Sequence, residues 1–364
     1  MIVLHIAPIN TTRVNGFRFS VPGLIEAQNK LGIQAALLNI EKTKMFSEEN
    51  LEKNNFKIYH YEGFNLNKIK PPFNKPDLVV FHGVYKVEYI SLYKCLSKLN
   101  IPYIIVPRVS LTKGAQNQKS IKKKISNLLL FNKFIYSSSS IQYLTENERK
   151  LSDNFNKKNF VVGNGVDLPV SNDKIINKKI NLTFIGRFDI NHKGLDVLML
   201  AIIQLKEFLE KYDVKVNLYG SDFNNGKKQL LRLTEENNLE DILSVNNAVF
   251  LKEKEEVLRK TDVFLATSRF EGHPMAVIEA MSYGIPCILT EGTNMLEELE
   301  KYDAGWKTEL DPTRISASIA EAIQNPTELI VKGQNARKLT EENYTWESIG
   351  KKTIEFYEEV ISGA

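Results

Sequence analysis

Short apolar runs alternate with longer stretches whose apolar residues recur at helical spacing, and the alternation restarts halfway along the chain. In the first half, Ile2-Val-Leu-His-Ile6, residues 35–38, Asp77-Leu-Val-Val-Phe81 and Tyr103-Ile-Ile-Val106 have the length and composition of buried strands. Helical spacing fills residues 21–31, 87–99 and 119–131. The second half repeats the scheme: strands at 181–186, 214–218, 248–251 and 262–266, and helices at 194–209, 227–238 and 254–259. Glycines follow two of these strands, at Gly186 and Gly220. Such βα alternation predicts mostly parallel sheets with helices on both faces, an α/β architecture of two doubly wound, Rossmann-like domains facing across a cleft. The polar stretch 167–179 reads as the linker, which sets domains at 1–170 and 171–344 and leaves a terminal helical pattern at 345–364.

Composition agrees with two domains. At 364 residues the chain exceeds one ordinary domain, and 43% hydrophobic against 25% charged residues describes a soluble protein with ample core. Cys95 and Cys287 are the only cysteines and both lie in apolar surroundings, which excludes a disulfide framework or a cysteine metal site. No apolar run approaches the ~18 residues of a spanning helix. The first residues lack the basic start and long apolar stretch of a signal peptide, so a cytoplasmic protein is expected. Charge changes the picture more. Residues 1–170 hold 24 Lys+Arg against 12 Asp+Glu, and the remainder 24 against 32, so the first half is expected to meet something anionic. In 119–131 the lysines Lys119, Lys122, Lys123 and Lys124 lie away from a face of Ile121, Ile125, Leu128 and Leu129. That pattern suits either an ordinary helix on a sheet or peripheral contact with an anionic membrane, worth ~1 kcal/mol per basic residue near the surface. Nucleic acid is not expected, since no recognition helix, zinc spacing or aromatic–basic platform is visible.

The densest chemical signal is residues 269–288, Arg-Phe-Glu-Gly-His-Pro-Met-Ala-Val-Ile-Glu-Ala-Met-Ser-Tyr-Gly-Ile-Pro-Cys-Ile. Glu271 follows a strand, Pro274 opens a helix, Glu279 lies within it, Gly284 can end it in a left-handed cap, and Pro286 blocks its continuation. A helix N-terminus at the carboxyl edge of a sheet is where an anionic ligand docks. The pattern Glu-Gly-x-Pro-x-x-x-x-Glu-Ala-Met-x-x-Gly-x-Pro resembles the signature of the retaining glycosyltransferases of family 4, which have the GT-B fold. A bare pair of glutamates at this spacing would mean little; the flanking glycines, prolines and strands give it weight.

The resemblance implies roles for further residues. In Phe184-Ile-Gly-Arg-Phe-Asp-Ile-Asn-His-Lys-Gly-Leu, Arg187 and Lys193 fall where the family places the cations that hold a donor diphosphate. A guanidinium grips two phosphate oxygens and a lysine adds a mobile point charge. Glu271 then lies near the reacting centre and Glu279 accepts from the ribose hydroxyls. The amides around His273, Pro274, Met275, Ala276 and Val277 face sugar and phosphate. Residues 249–254, including Val249 and Lys254, resemble the segment that reads the base, and Gly220 either lets a strand end approach the nucleotide or makes a tight turn with positive φ. His82, after the strand ending at Phe81, matches a family histidine that touches the donor sugar, although a lone histidine there is as often structural. Arg108-Val-Ser-Leu resembles Arg-Gly-x-Leu, which implies that Arg108 contacts the acceptor, with Val109 in place of the glycine. The paired glycines usual near the N-terminus are reduced to Gly16, flanked by Arg13 and Arg18, which suit an acceptor phosphate.

No Asp-x-Asp occurs, so a metal-independent site relying on Arg187 and Lys193 is expected, with no cofactor and with a UDP- or GDP-sugar type of donor as substrate. The resemblance implies transfer of a sugar with retention to a glycan or lipid-linked acceptor, as in surface polysaccharide or glycolipid synthesis, peripherally at the inner membrane face. It also implies that the terminal helix packs back on the first domain. A nucleotide-sugar epimerase or hydrolase on the same fold, or a catalytically silent glycan-binding subunit, are the alternatives.

Overall fold

The computed structural model describes residues 1–9, 17–41, 56–61, 66–113, 130–152, 158–169 and 179–363. The chain divides into Met1–Gly165 with Trp346–Ala364, and Val166–Thr345. Each unit is built on one parallel sheet.

The first unit has seven strands: β1 (Ile2–Ala7), β2 (Gln34–Asn39), β3 (Ile58–His60), β4 (Leu78–His82), β5 (Tyr103–Val106), β6 (Ser140–Tyr143) and β7 (Asn159–Val161), in the order β3-β2-β1-β4-β5-β6-β7. All pairs are parallel, with His5 of β1 in register with Val80 of β4. The central strands are covered on both faces, which is why they read as continuous apolar runs. The sequence pattern missed β3, β6 and β7. In β6, Ser140-Ile-Gln-Tyr143, half the side chains are polar yet all are buried, because Ser140 donates to the Lys158 carbonyl (3.0 Å) and Gln142 to that of Val162 (3.0 Å). Counting apolar residues cannot detect a buried strand whose polar groups are satisfied in this way.

Phe81, Tyr103 and Phe134 form an aromatic cluster at the centre of the first core, with Phe134 stacked on Tyr103 and edge-on to Phe81. The terminal helix Trp346–Ser362 lies against the helix Phe17–Lys30 within this unit. The Trp346 ring presses on two glycines. A Cβ on Gly23 would fall 2.2 Å from that ring, and one on Gly165 2.4 Å from it. Phe356 stacks on Phe160 at 4.5 Å, and Tyr357 donates to Gln142 (3.2 Å).

The second unit has six strands: β8 (Ile180–Ile185), β9 (Val214–Gly220), β10 (Leu243–Asn247), β11 (Val263–Ala266), β12 (Cys287–Thr290) and β13 (Gly305–Thr308), in the order β10-β9-β8-β11-β12-β13. All are parallel. The strand expected at 248–251 is corrected to β10, Leu243-Ser-Val-Asn-Asn247. Its polar, half-buried sequence suits an edge position, whereas the more apolar 248–250 are a connection and Leu251 begins the helix Leu251–Arg259. In both sheets the order reverses between the first strand and the fourth, at β1/β4 and β8/β11. In open α/β sheets such a switch point, at the carboxyl ends of the strands, is where loops diverge and leave a crevice for ligands.

Candidate functional site

The loops after β8 and β11 meet at the switch point of the second unit. Beyond β8, Gly186 donates to the Tyr219 carbonyl (3.0 Å) and Phe188 to that of Ser221 (2.9 Å), carrying Arg187 past the sheet edge. Arg187 is exposed, its guanidinium 5.0 Å from the centre of the Phe223 ring. The path leaves no room for a side chain at Gly220, whose added Cβ would lie 2.0 Å from the Gly186 carbonyl oxygen. Close approach of two backbones, not a positive φ, therefore calls for glycine there.

The chain then turns through Asp189, whose carbonyl accepts from Lys193 (2.9 Å) and whose carboxylate accepts from the His192 amide (3.2 Å). Gly194 has φ +63°, and a Cβ on it would stand 2.0 Å from the Thr267 carbonyl oxygen. Thr267 in turn donates toward the Lys193 carbonyl (3.2 Å). Arg269 completes the fastening. Its amide donates to the His192 carbonyl (2.9 Å), Nη1 donates to that of Asn191 (2.6 Å), and both terminal nitrogens grip Asp196 at 2.8 and 2.7 Å. That pair holds the Asp196 carboxyl below its usual range against the opposing effect of burial. The His192 ring lies tilted beside that of Phe270 (4.1 Å), and burial lowers its pKa.

The fastened loops bring Lys193 to Glu271. Lys193 Nζ forms an ion pair with Glu271 Oε1, to which Ser268 also donates (2.8 Å), and the two charged side chains are 18% and 13% exposed. Asn294 donates to the Glu271 carbonyl. A second ion pair joins Lys254 to Glu279, from the helix Leu251–Arg259 to the helix Met275–Ser282. Each signature glutamate thus carries its own lysine. Arg269, Asp196, Ser268 and Asn294 were not anticipated. An Arg-to-Asp link across 73 residues leaves no spacing signal, although the Arg269-Phe-Glu271 adjacency places the arginine on the same loop.

Pro274 sits one residue before the helix Met275–Ser282 rather than inside it, and its carbonyl accepts from Val277 (3.0 Å) and Ile278 (3.2 Å). The Val277 amide is therefore engaged within the helix start and its side chain is buried. The amides of Met275 and Ala276 lead the helix. His273 is buried with its ring 5.2 Å from that of Tyr344. Gly284 closes the helix at φ +69°, with its amide on the Met281 carbonyl (2.9 Å). Val249 is half-buried in the connection after β10, and Leu251, next to exposed Phe250, is 83% exposed with φ +48°.

In the first unit His82 ends β4 but offers no open ring. It is 1% exposed, with Nε2 3.0 Å from His5 Nδ1 and Nδ1 3.5 Å from Arg108 Nη2. The ring is enclosed because β1 and the loop after β5 cover both of its nitrogens. Burial and the neighbouring Arg108 charge both hold it neutral. Arg108 and Val109 have φ +51° and +61°, so Val109 occupies a left-handed conformation where the resembling family has glycine. A β-branched residue there is strained by ~1–3 kcal/mol. The buried Glu148 carboxylate holds it, accepting from the Val109 amide (2.5 Å) and from that of Leu144 (2.8 Å). Arg18 is half-buried in the helix Phe17–Lys30, its guanidinium 5.7 Å from the Phe19 ring. Arg13, Gly16 and most of the basic segment 119–131 lie outside the described residues.

Among the described residues no group of three or more His, Cys, Asp or Glu could hold a metal ion, and no helix is long and apolar enough to cross a membrane. Residues 171–346 match the family of glycosyl transferases group 1. The MMP alpha-(1->4)-mannosyltransferase of Mycolicibacterium hassiacum is 26% identical over 205 residues, which cover 56% of this chain and 48%, about half, of that protein. The solved sucrose-phosphate synthase of Thermosynechococcus elongatus superposes with a TM-score of 0.78 over 100% of this chain and 99% of its own, at 14% identity. Anabaena HepE, in complex with UDP and glucose, superposes with a TM-score of 0.75 over 99% of this chain and 100% of its own, also at 14% identity. The second unit thus carries the match to glycosyl transferases group 1, and the likeness over the whole length shows that the chain has the GT-B fold.

Proposed function

We propose that this protein is a retaining glycosyltransferase that moves a sugar from a nucleoside-diphosphate donor to a glycan or lipid-linked acceptor in surface polysaccharide or glycolipid synthesis. One observation carries the reading. The loops after β8 and β11 join Lys193 to Glu271 at the switch point, with Arg187 on the first of these loops and Glu279 on the helix that follows the second. Arg187 and Lys193 take the diphosphate, and the leading amides of Met275 and Ala276 add the positive end of a helix. Glu271 holds sugar hydroxyls and Glu279 the ribose, for which Lys254 steadies its carboxylate. The bond from C1 to the leaving phosphate breaks as the acceptor oxygen bonds C1 on the same face, and the acceptor proton passes to a phosphate oxygen. No enzymic nucleophile and no metal ion is required. The HepE complex with UDP and glucose supports a nucleotide-sugar donor. Peripheral attachment at the inner membrane face, through the basic segment 119–131, is part of the same proposal.

Thermal unfolding against UDP, GDP, ADP and CMP tests it. A ligand at ~100 times its dissociation constant stabilises the native state by roughly 2.7 kcal/mol. Stabilisation by one diphosphate, lost in Arg187→Ala with Lys193→Ala, is the expected result. No response to any of the four would overturn the transferase reading.

A further inference from the structure

The first unit holds a charged group that the donor chemistry does not use. We infer that Arg108 forms an oxyanion-binding site for a phosphate or carboxylate group of an acidic acceptor, and that Gln28, His5 and His82 position it. This rests on the transferase reading and adds the chemical class of its acceptor.

Arg108 lies just beyond β5, half-buried, with its guanidinium 4.9 Å from the centre of the Phe17 ring. Its Nε is enclosed without a hydrogen-bond partner, and burial lowers its pKa to about 10. Among the described residues no carboxylate pairs with it. Glu148, whose charge favours it most, spends one oxygen on the Val109 amide and the other on that of Leu144. An enclosed cation with an unsatisfied donor is costly unless a partner arrives, and a guanidinium fork suits a phosphate or carboxylate best.

Its neighbours form a directional chain. Thr353 donates to the Gly350 carbonyl (2.9 Å) and so receives from Gln28 Nε2 (3.3 Å). The Gln28 oxygen then faces His5 Nε2 at 2.8 Å, which fixes the proton on that nitrogen and leaves His5 Nδ1 bare. A bare Nδ1 at 3.0 Å requires the proton of His82 on Nε2. His82 Nδ1 is then a lone pair turned to Arg108 Nη2 at 3.5 Å. Tyr89 donates to the His82 carbonyl (2.7 Å), holding the strand end. Burial keeps both imidazoles neutral, with His5 lowered to about 4 and His82 in the same direction. A neutral acceptor orients the arginine without cancelling its charge, whereas a carboxylate in that position would compete with the ligand. Arg108 is the binding group, and the three residues behind it act through it.

The chain contains five histidines, so imidazole-labelled protein gives few ring-nitrogen signals in an NMR spectrum. His82 is expected to carry its proton on Nε2. Its Nδ1 signal should shift saturably on titration with inorganic phosphate, if a lipid-linked phosphate is the natural ligand, or with glucuronate, if an acidic sugar is. Arg108→Gln should abolish the shift, and Gln28→Leu should weaken binding roughly tenfold while scrambling the tautomers. A proton on His82 Nδ1 overturns the positioning chain. No saturable shift with either anion, or an undiminished shift in Arg108→Gln, overturns the site. Stabilisation by a nucleoside diphosphate, measured on the same samples, reports the donor site separately. If it persists while the anions fail, the transferase reading stands and this inference does not.

Discussion

Replacing Glu271 by Gln should tighten binding of the nucleoside diphosphate while it abolishes sugar transfer. The Lys193 ammonium is neutralised by the Glu271 carboxylate, and both side chains are largely enclosed, so the loops present the diphosphate with less charge than their sequence suggests. Removing the carboxylate leaves the lysine fully cationic. It also removes a repulsion: two unit charges about 7 Å apart at an effective dielectric of about 20 interact by about 2 kcal/mol. Allowing for screening by solvent and salt, about 1–2 kcal/mol remains, a tightening of roughly five- to thirtyfold. Gln keeps the shape and can still accept from Ser268, which donates to the same oxygen at 2.8 Å. Calorimetric titration of whichever diphosphate stabilises the wild type gives the affinity, and release of diphosphate from the sugar nucleotide in the presence of acceptor gives turnover. The same titration of Lys193→Ala, alone and combined with Glu271→Gln, closes a double-mutant cycle that separates the relieved repulsion from the coupling through Lys193. Unchanged or weaker diphosphate binding in Glu271→Gln would refute the reasoning.

Three further outcomes follow from the geometry. Burial lowers His5 to about 4 from an ordinary 6.5, so between those values the unfolded chain binds a proton the native state does not, and stability must fall as pH drops from 6.5 towards 4. The loss is about 3 kcal/mol from His5 alone, readable in urea unfolding midpoints, and stability unchanged from pH 7 to 5 would contradict the buried neutral pair. Val109→Gly should raise the melting temperature, since relief of a left-handed β-branched residue exceeds the ~0.5–1 kcal/mol entropic cost of glycine; a lower melting temperature would show that Val109 is not strained. Gly194→Ala should destabilise the second unit by more than the ~1–2 kcal/mol of its φ alone, because the Thr267 carbonyl stands where the methyl would go, and diphosphate stabilisation should vanish with it; near-wild-type melting would exclude the close approach.

How much of this was legible from the residues depended on distance along the chain. The strand, loop, helix and strand of 262–290 were readable because every signal is local: an apolar run, a proline before the helix, a glycine after it, a second proline to stop it. The approach of Lys193 to Glu271 was implied only by resemblance, since 78 residues separate them and it is the reversal of strand order at β8/β11 that joins their loops. Polar strands were lost. Apolar counting found β1, β4 and β5 but passed over β6 and β10, where Gln142 and Ser244 make the hydrogen bonds that let polar positions sit inside or along a sheet. At Val109 the departure from the glycine of the related pattern was visible, but its consequence was not, because a sequence does not display φ.

The two units solve the same topological problem with opposite legibility. In each, chemistry collects where the first and fourth strands diverge. The second unit builds its site from loops and a helix start, elements whose turn residues advertise themselves. In the first unit the site lies on and behind the strands. His5 is the fourth residue of β1 and His82 the last of β4, and they meet only because the register sets His5 opposite Val80. Gln28 reaches them from one helix and Thr353 supports it from the terminal helix, 325 residues away. A histidine within Ile-Val-Leu-His-Ile-Ala looks like an interruption of a strand. Its two neighbours in space turn it into a proton-ordered link, and the same burial that hides it from periodicity keeps it neutral enough to serve.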